Sequence, residues 1–208
     1  MKRAPSCLAV AALLLAACKI ESAPPAAPTG AAGWQTYEDD WIKASYPTGS
    51  QVVGAVDGRQ DPAHPSLAII PPPTVPGTVH GGLAIQLDGK NKGMILRDAI
   101  QSELRPDLEK GGLLLVGPKE FDVVNGRCLG ALIISSAGDP CPDRAPFNGQ
   151  GTCYTPFYKT QCDDAAGRRL EALSILSLGR APNGLDPDAK REAAVYERIM
   201  NSLEFKKP

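Results

Sequence analysis

The chain has 208 residues, 43 % of them hydrophobic and 22 % charged, which excludes long disorder, a collagen-like chain and a coiled coil. Its 22 Lys and Arg against 23 Asp and Glu leave a net charge of −1, which argues against a nucleic-acid partner, because that would need a basic face. The length fits one domain with tails, and 21 Gly, 20 Pro and 6 Cys indicate a loop-rich protein with disulfides.

The chain starts with a short basic stretch, Lys2 and Arg3, followed by an uncharged apolar run from Leu8 to Ala17. That run suits the apolar region of a signal peptide and falls short of the roughly 20 residues that cross a bilayer. It ends Leu15-Ala16-Ala17-Cys18, where small residues let the chain lie extended in a peptidase groove. These four residues resemble the lipobox of bacterial lipoproteins. The resemblance implies removal of residues 1–17 and a diacylglycerol thioether and an N-acyl chain, typically palmitate, on Cys18. Each buried methylene contributes about 0.8 kcal/mol, so several chains on one residue make detachment negligible. Lys19 stands where an Asp would imply retention at the inner membrane. The resemblance therefore implies a cell-envelope protein, lipid-anchored at the outer membrane and facing the periplasm or the cell surface. The competing reading is an ordinary secreted protein with a chance Cys at its cleavage site.

Residues 18–33 follow as the lipidated Cys and a flexible tether, rich in Ala, Pro and Gly and without apolar period. Residues 34–208 remain for a single domain with a substantial core. Lys2, Arg3, Lys19 and Glu21 all precede it, so the domain is mildly acidic and offers no electrostatic attraction to DNA or an anionic membrane.

Within the domain, Trp34, Tyr37 and Trp41 are spaced i, i+3, i+7, which packs the first segment onto the core or makes an aromatic ligand face. Ile42 to Tyr46 alternates as a strand that Pro47 stops, and Gln51 to Val56 and Ser66 to Ile70 are short apolar strands, the latter running into Pro71-Pro72-Pro73. Leu83 to Asp88 alternates with Leu83, Ile85 and Leu87 on one face. A helix is predicted from about Gly93, with Leu96, Ile100, Leu104 and Leu108 as its apolar stripe. Pro106 should end or kink it near Leu104, and Gly111-Gly112 closes the segment.

The second half reads as a meander. Glu120 to Val124 and Arg127 to Ser135 flank Asn125-Gly126, a hairpin signal in which both turn residues would take positive φ. Leu129, Ala131 and Ile133 face one way, and Cys128, Leu132 and Ile134 the other, so this strand should be central and covered on both sides. Strands at Cys153 to Gln161 and Arg169 to Leu178 are joined by the turn at 163–167. The last helix starts at Asp186-Pro187-Asp188, with Asp186 as cap and Pro187 at the first helical position. Ala189, Ala193, Tyr196 and Met200 form its buried stripe, and Leu203 to Phe205 adds a short strand. The predicted fold class is α+β, an antiparallel β-sheet flanked by two main helices and stapled by disulfides.

Two stretches carry a second resemblance. Trp41-Ile42-Lys43-Ala44-Ser45-Tyr46-Pro47 and Arg198-Ile199-Met200-Asn201-Ser202-Leu203-Glu204-Phe205 are similar to PsbP-like and Mog1-like domains. The resemblance implies a sandwich of helices on an antiparallel sheet that serves binding or assembly without catalysis. The four Cys of the domain are not part of that pattern.

Cys7 lies in the removed peptide and Cys18 is committed to lipid, which leaves Cys128, Cys141, Cys153 and Cys162. An even set in an exported protein favours disulfides over a four-Cys metal site, and there is no Cys-x-x-Cys. Three pairings are open. Antiparallel pairing of the strands that hold Cys128 and Cys153 would place Cys128 opposite Cys162 and Cys141 opposite Cys153, because the two pairs nearly share one index sum. The nested bridges Cys128–Cys162 and Cys141–Cys153 are therefore favoured. They would staple the Pro-rich loop 137–151 and contribute roughly 2–4 kcal/mol each.

Enzyme signals are thin. His64 and His80 both lie in Pro/Gly-rich loops, where a His-Asp pair with Asp61 lacks supporting spacing. No Gly-x-Ser-x-Gly, phosphate loop or His-Glu-x-x-His occurs. Asp39-Asp40 and Asp163-Asp164 suit turns better than calcium or acid–base work. No cofactor and no metal are expected. The best candidate contact surface is the stapled loop from Pro140 to Pro156 with Phe147, Tyr154 and Phe157, since ordered aromatics lose little entropy on binding. The function read from the sequence is a membrane-anchored envelope lipoprotein with a non-catalytic binding or assembly domain for an envelope protein or small ligand. The second class is an envelope hydrolase using His64 or His80 with nearby carboxylates.

Overall fold

The computed structural model describes residues 33–54, 66–73, 81–87, 93–135, 138–143 and 146–207. The expected signal peptide at 1–17, Cys18, the tether up to residue 32, Asp61, His64 and His80 lie outside the described residues. Residues 32–208 form a compact unit. None of the helices among the described residues is long and apolar enough to cross a membrane.

The fold is α+β. Strands β1 (Trp34–Glu38), β2 (Ile42–Pro47), β3 (Gln51–Gly54), β4 (Ser66–Ile70) and β5 (Leu83–Leu87) lead into helix α1 (Leu96–Glu109). Then follow β6 (Leu113–Val123), β7 (Gly126–Ile134), β8 (Asp139–Pro140), β9 (Thr152–Cys153), β10 (Pro156–Asp164), β11 (Arg169–Ile175), helix α2 (Pro187–Asn201) and β12 (Glu204–Phe205). A seven-stranded sheet has the order β3-β4-β5-β11-β10-β7-β6, with antiparallel neighbours throughout. A smaller sheet has the order β1-β2-β12, and β8 pairs β9.

Alternation along β7 positions both cores. Leu129, Ala131 and Ile133 pack with Ile100 and Leu104 of α1 on one face of the large sheet. Cys128 and Leu132 belong to the other core, which includes Tyr196 and Met200 of α2 and Ile42, Ala44 and Phe205 of the small sheet. The unbroken run without charge from Cys128 to Ile134 in β7 thus matches its place between β10 and β6 with both faces covered.

Polar groups fasten the helices at their ends. Lys159 Nζ donates to the Glu103 carbonyl at 3.0 Å and to Asp107 Oδ2 at 2.6 Å. At the other end of α1, Arg169 donates to the Met94 carbonyl at 2.8 Å and grips Asp163 through two nitrogens. Beneath α2, Glu192 is buried and accepts from both the backbone N–H and the hydroxyl of Ser177, each at 2.6 Å. A buried carboxylate is tolerated only with such donors.

Four sequence expectations are corrected. The first helix does not stop near Leu104 but runs through Pro106 to Glu109. Proline at 106 denies the Ser102 carbonyl its usual donor, yet the helix continues, and Lys159 anchors the turn that follows by donating to the Glu103 carbonyl and to Asp107. The Asn125-Gly126 hairpin exists, but Val123 pairs with Gly126, so Val124 and Asn125 form the turn. Only Asn125 takes positive φ, +61°. Gly126 opens β7, where an added Cβ would lie 2.7 Å from both the Asp163 carbonyl and the Phe205 ring. The stretch Cys153 to Gln161 is divided, Cys153 pairing in the small ribbon with Asp139 and Pro156 starting β10. Asp186 stands at the N-cap of α2 without a side-chain cap bond; its carboxylate accepts from the Arg180 N–H instead.

Candidate functional site

The structure contains two disulfides, Cys128–Cys162 and Cys141–Cys153, the nested arrangement. Cys128 and Cys162 are direct partners in the β7–β10 register, with Cα atoms 4.0 Å apart. Cys141–Cys153 closes the loop over the β8–β9 ribbon.

Phe147, Tyr154 and Phe157 do not share one surface. Phe157 lies on the α1 side of the large sheet and packs against the core there. Tyr154 bridges to Gly179, exchanging backbone hydrogen bonds of 2.8 and 3.1 Å. The Phe147 ring lies under the Arg180 guanidinium, 5.8 Å from its centroid. Tyr154 and Phe147 thus fasten the stapled loop to residues 179–180, and only these two of the three aromatics belong to that neighbourhood.

Of the first aromatic residues, Trp34 and Tyr37 lie on β1 and Trp41 just before β2. Trp34, Tyr37 and Trp41 pack partly against the larger core. Arg198 of α2 covers Trp34 at 3.9 Å and Arg168 covers Trp41 at 5.3 Å, cation–π contacts that pin both ends of the β1–β2 hairpin. One acid of each pair serves a turn. Asp39 Oδ1 accepts from the N–H groups of Trp41 and Ile42 at 2.7 and 2.8 Å. Asp164 Oδ1 accepts from those of Ala166 and Arg168 at 2.9 and 2.7 Å, and its carboxylate also pairs with the Arg168 guanidinium. No group of three or more His, Cys, Asp or Glu with metal-site geometry occurs among the described residues.

The site that sequence reasoning missed is a groove of about 150 Å³ between α2 and the outer strand β6. Its cause is a β-bulge. Val116 pairs with Leu132 and Lys119 with Gly130, so β6 takes three residues where β7 takes two. The extra residue falls at Gly117-Pro118, a second register shift lies between Leu114 and Val116, and such bulges bend the strand that carries them. Phe121, Leu132, Val116 and the Tyr158 ring form the walls. Gly130 is the floor, and the Tyr158 hydroxyl lies over it, 2.8 Å from where a Cβ would stand. A side chain at residue 130 would displace the phenol.

Polar groups converge on this groove from three elements. Lys119 comes from β6, Tyr158 from β10, and Glu197 and Asn201 from α2. Tyr158 is only 8 % exposed. Its burial pushes the phenol up to about 12, with the nearby Thr160 hydroxyl opposing the rise and the Glu197 charge adding to it; the group is a neutral hydroxyl at ordinary pH. The Thr160 hydroxyl nearby is buried and makes no hydrogen bond of normal geometry. The usable signals in the sequence were Gly130, set in an otherwise apolar strand, and Gly117-Pro118, which interrupts the strand before it.

The chain matches no family model, no curated protein and no solved structure.

Proposed function

We propose that this protein is a lipid-anchored lipoprotein of the bacterial cell envelope, whose folded part binds an envelope protein or a small ligand without catalysing a reaction. One observation carries the reading: all four cysteines of the folded part are paired in disulfides. Such bonds form and persist in exported proteins. An oxidising compartment is also what the Leu15-Ala16-Ala17-Cys18 motif implies. The groove between α2 and β6 supports recognition, because apolar walls with a few convergent polar groups are the make-up of a ligand site.

The test is metabolic labelling of cells with a fatty acid. The mature protein is expected to begin at Cys18, to carry label and to partition into detergent. Cys18→Ser is expected to give an unlabelled product, and continued labelling of that variant overturns the anchor. A hydrolytic activity lost on replacing His64 and His80 together would put catalysis in place of binding.

A further inference from the structure

The mouth of the α2–β6 groove carries one cation, Lys119, and one anion, Glu197. Neither forms an ion pair with the other or with any other described residue. Two opposite charges on one rim that leave each other unpaired present complementary poles to an occupant that carries both signs. Tyr158, more than nine-tenths buried, also lines the groove, with its hydroxyl over Gly130. The Asn201 amide adds a donor and an acceptor at the rim.

We propose that this groove binds a free α-amino acid with a small apolar side chain. Lys119 receives the carboxylate, Glu197 receives the ammonium, and the side chain lies against Phe121 and Leu132. The Tyr158 hydroxyl and the Asn201 amide hydrogen-bond the carboxylate. Size sets the limit on the side chain: a cavity of about 150 Å³ takes a guest the size of benzene. Charge sets the class. An anion alone would meet the Glu197 carboxylate, and a cation alone would meet Lys119, so each pays a repulsion that the zwitterion avoids. This assignment rests on the binding reading above and gives it a ligand class.

The experiment uses the mature chain with both disulfides closed, titrated with alanine and valine and followed by calorimetry and by NMR of the Tyr158 and Phe121 rings. Saturable shifts of those rings are expected with the free amino acids. N-acetylalanine, which lacks the ammonium, and alanine amide, which lacks the carboxylate, are expected to bind more weakly. Glu197→Gln is expected to weaken alanine binding roughly threefold to tenfold and to erase the preference over N-acetylalanine. Lys119→Gln should do the same for the preference over alanine amide. Both side chains are exposed, so neither variant disturbs the core, and an unchanged ring spectrum without ligand verifies this. Absence of saturable shifts with both amino acids overturns the proposal, as does equal binding of the blocked analogues. Fatty-acid labelling of Cys18 is read independently, so failure of the ligand and failure of the anchor are distinguishable.

Discussion

Three phenols are held in settings that oppose their ionisation. Burial and the hydrogen bond to Asp39 raise Tyr37 to about 12, and burial with the nearby Glu197 charge raises Tyr158 to about 12. Tyr196 is raised as well, chiefly by burial, and its hydroxyl donates to the Gly81 carbonyl at 2.5 Å. A pKa raised on folding means that the folded state keeps a proton which the unfolded state releases. The associated stability is complete below the unfolded value near 10 and is lost as pH rises through the folded value. Stability is therefore expected to hold up to about pH 10 and to fall between about pH 10 and 12. Denaturant melts at stepped pH, followed alongside phenolate absorbance, check this. Tyr158→Phe keeps the ring in its place over Gly130 and should flatten part of the alkaline loss. A stability curve that is flat through pH 12 would contradict the assignment.

At the scale of elements, the β6–β7 hairpin holds the two sheets together. The Val124 N–H donates to the Leu203 carbonyl, the Phe205 N–H donates to the Val124 carbonyl, and the Asn125 side-chain amide donates to the Phe205 carbonyl at 2.8 Å. Asn125 thus combines a positive φ of +61° with a bond between sheets. Asn125→Ala is expected to cost about 2 kcal/mol, one part from the left-handed backbone and one from the lost hydrogen bond. Asn125→Gly removes only the bond and should cost about 1 kcal/mol. Equal losses in chemical denaturation would show that backbone conformation plays no part. The same hairpin carries the bulge that opens the groove. Gly117-Pro118, Lys119 and Glu120 also leave β6 poorly suited to pair with another chain along its outer edge.

For the molecule as a whole, the disulfides carry a large share of stability. Their sequence separations are 34 and 12 residues, for which loop-closure entropy gives about 4 and about 3 kcal/mol. A domain of this kind is stable by roughly 5–15 kcal/mol in total. Reduction is therefore expected to leave a marginal fold, seen as a large drop in denaturation midpoint. Replacing Cys141 and Cys153 by Ser should cost less than replacing Cys128 and Cys162 by Ala, since the latter also empties space between β7 and β10. Both variants should keep the far-ultraviolet signature of the α+β fold. An undiminished midpoint after full reduction would refute this ledger.

Local chemistry made much of this fold legible in the sequence. Period-two alternation marked Ile42–Tyr46 and Leu83–Leu87, a short apolar run marked Ser66–Ile70, and the four-residue recurrence of Leu96, Ile100 and Leu104 marked α1. The apolar residues on both sides of β7 reveal a central strand because each face must be buried against something. Antiparallel register is additive along the chain, which is why cysteine positions alone favoured the nested bridges. What only the tertiary structure decided involves partners distant in sequence. Pro106 stays inside a helix that Lys159, distant in sequence, anchors to β10 through the Glu103 carbonyl and Asp107. Asp186 forgoes its cap bond for the N–H of Arg180. Phe157 was assigned to a contact surface because an isolated strand does not reveal which face a helix will cover. The groove depends on a bulge in β6, a glycine in β7, a phenol in β10 and two side chains of α2. No window of sequence contains all of them, and each by itself reads as a turn residue, a core residue or a solvated charge.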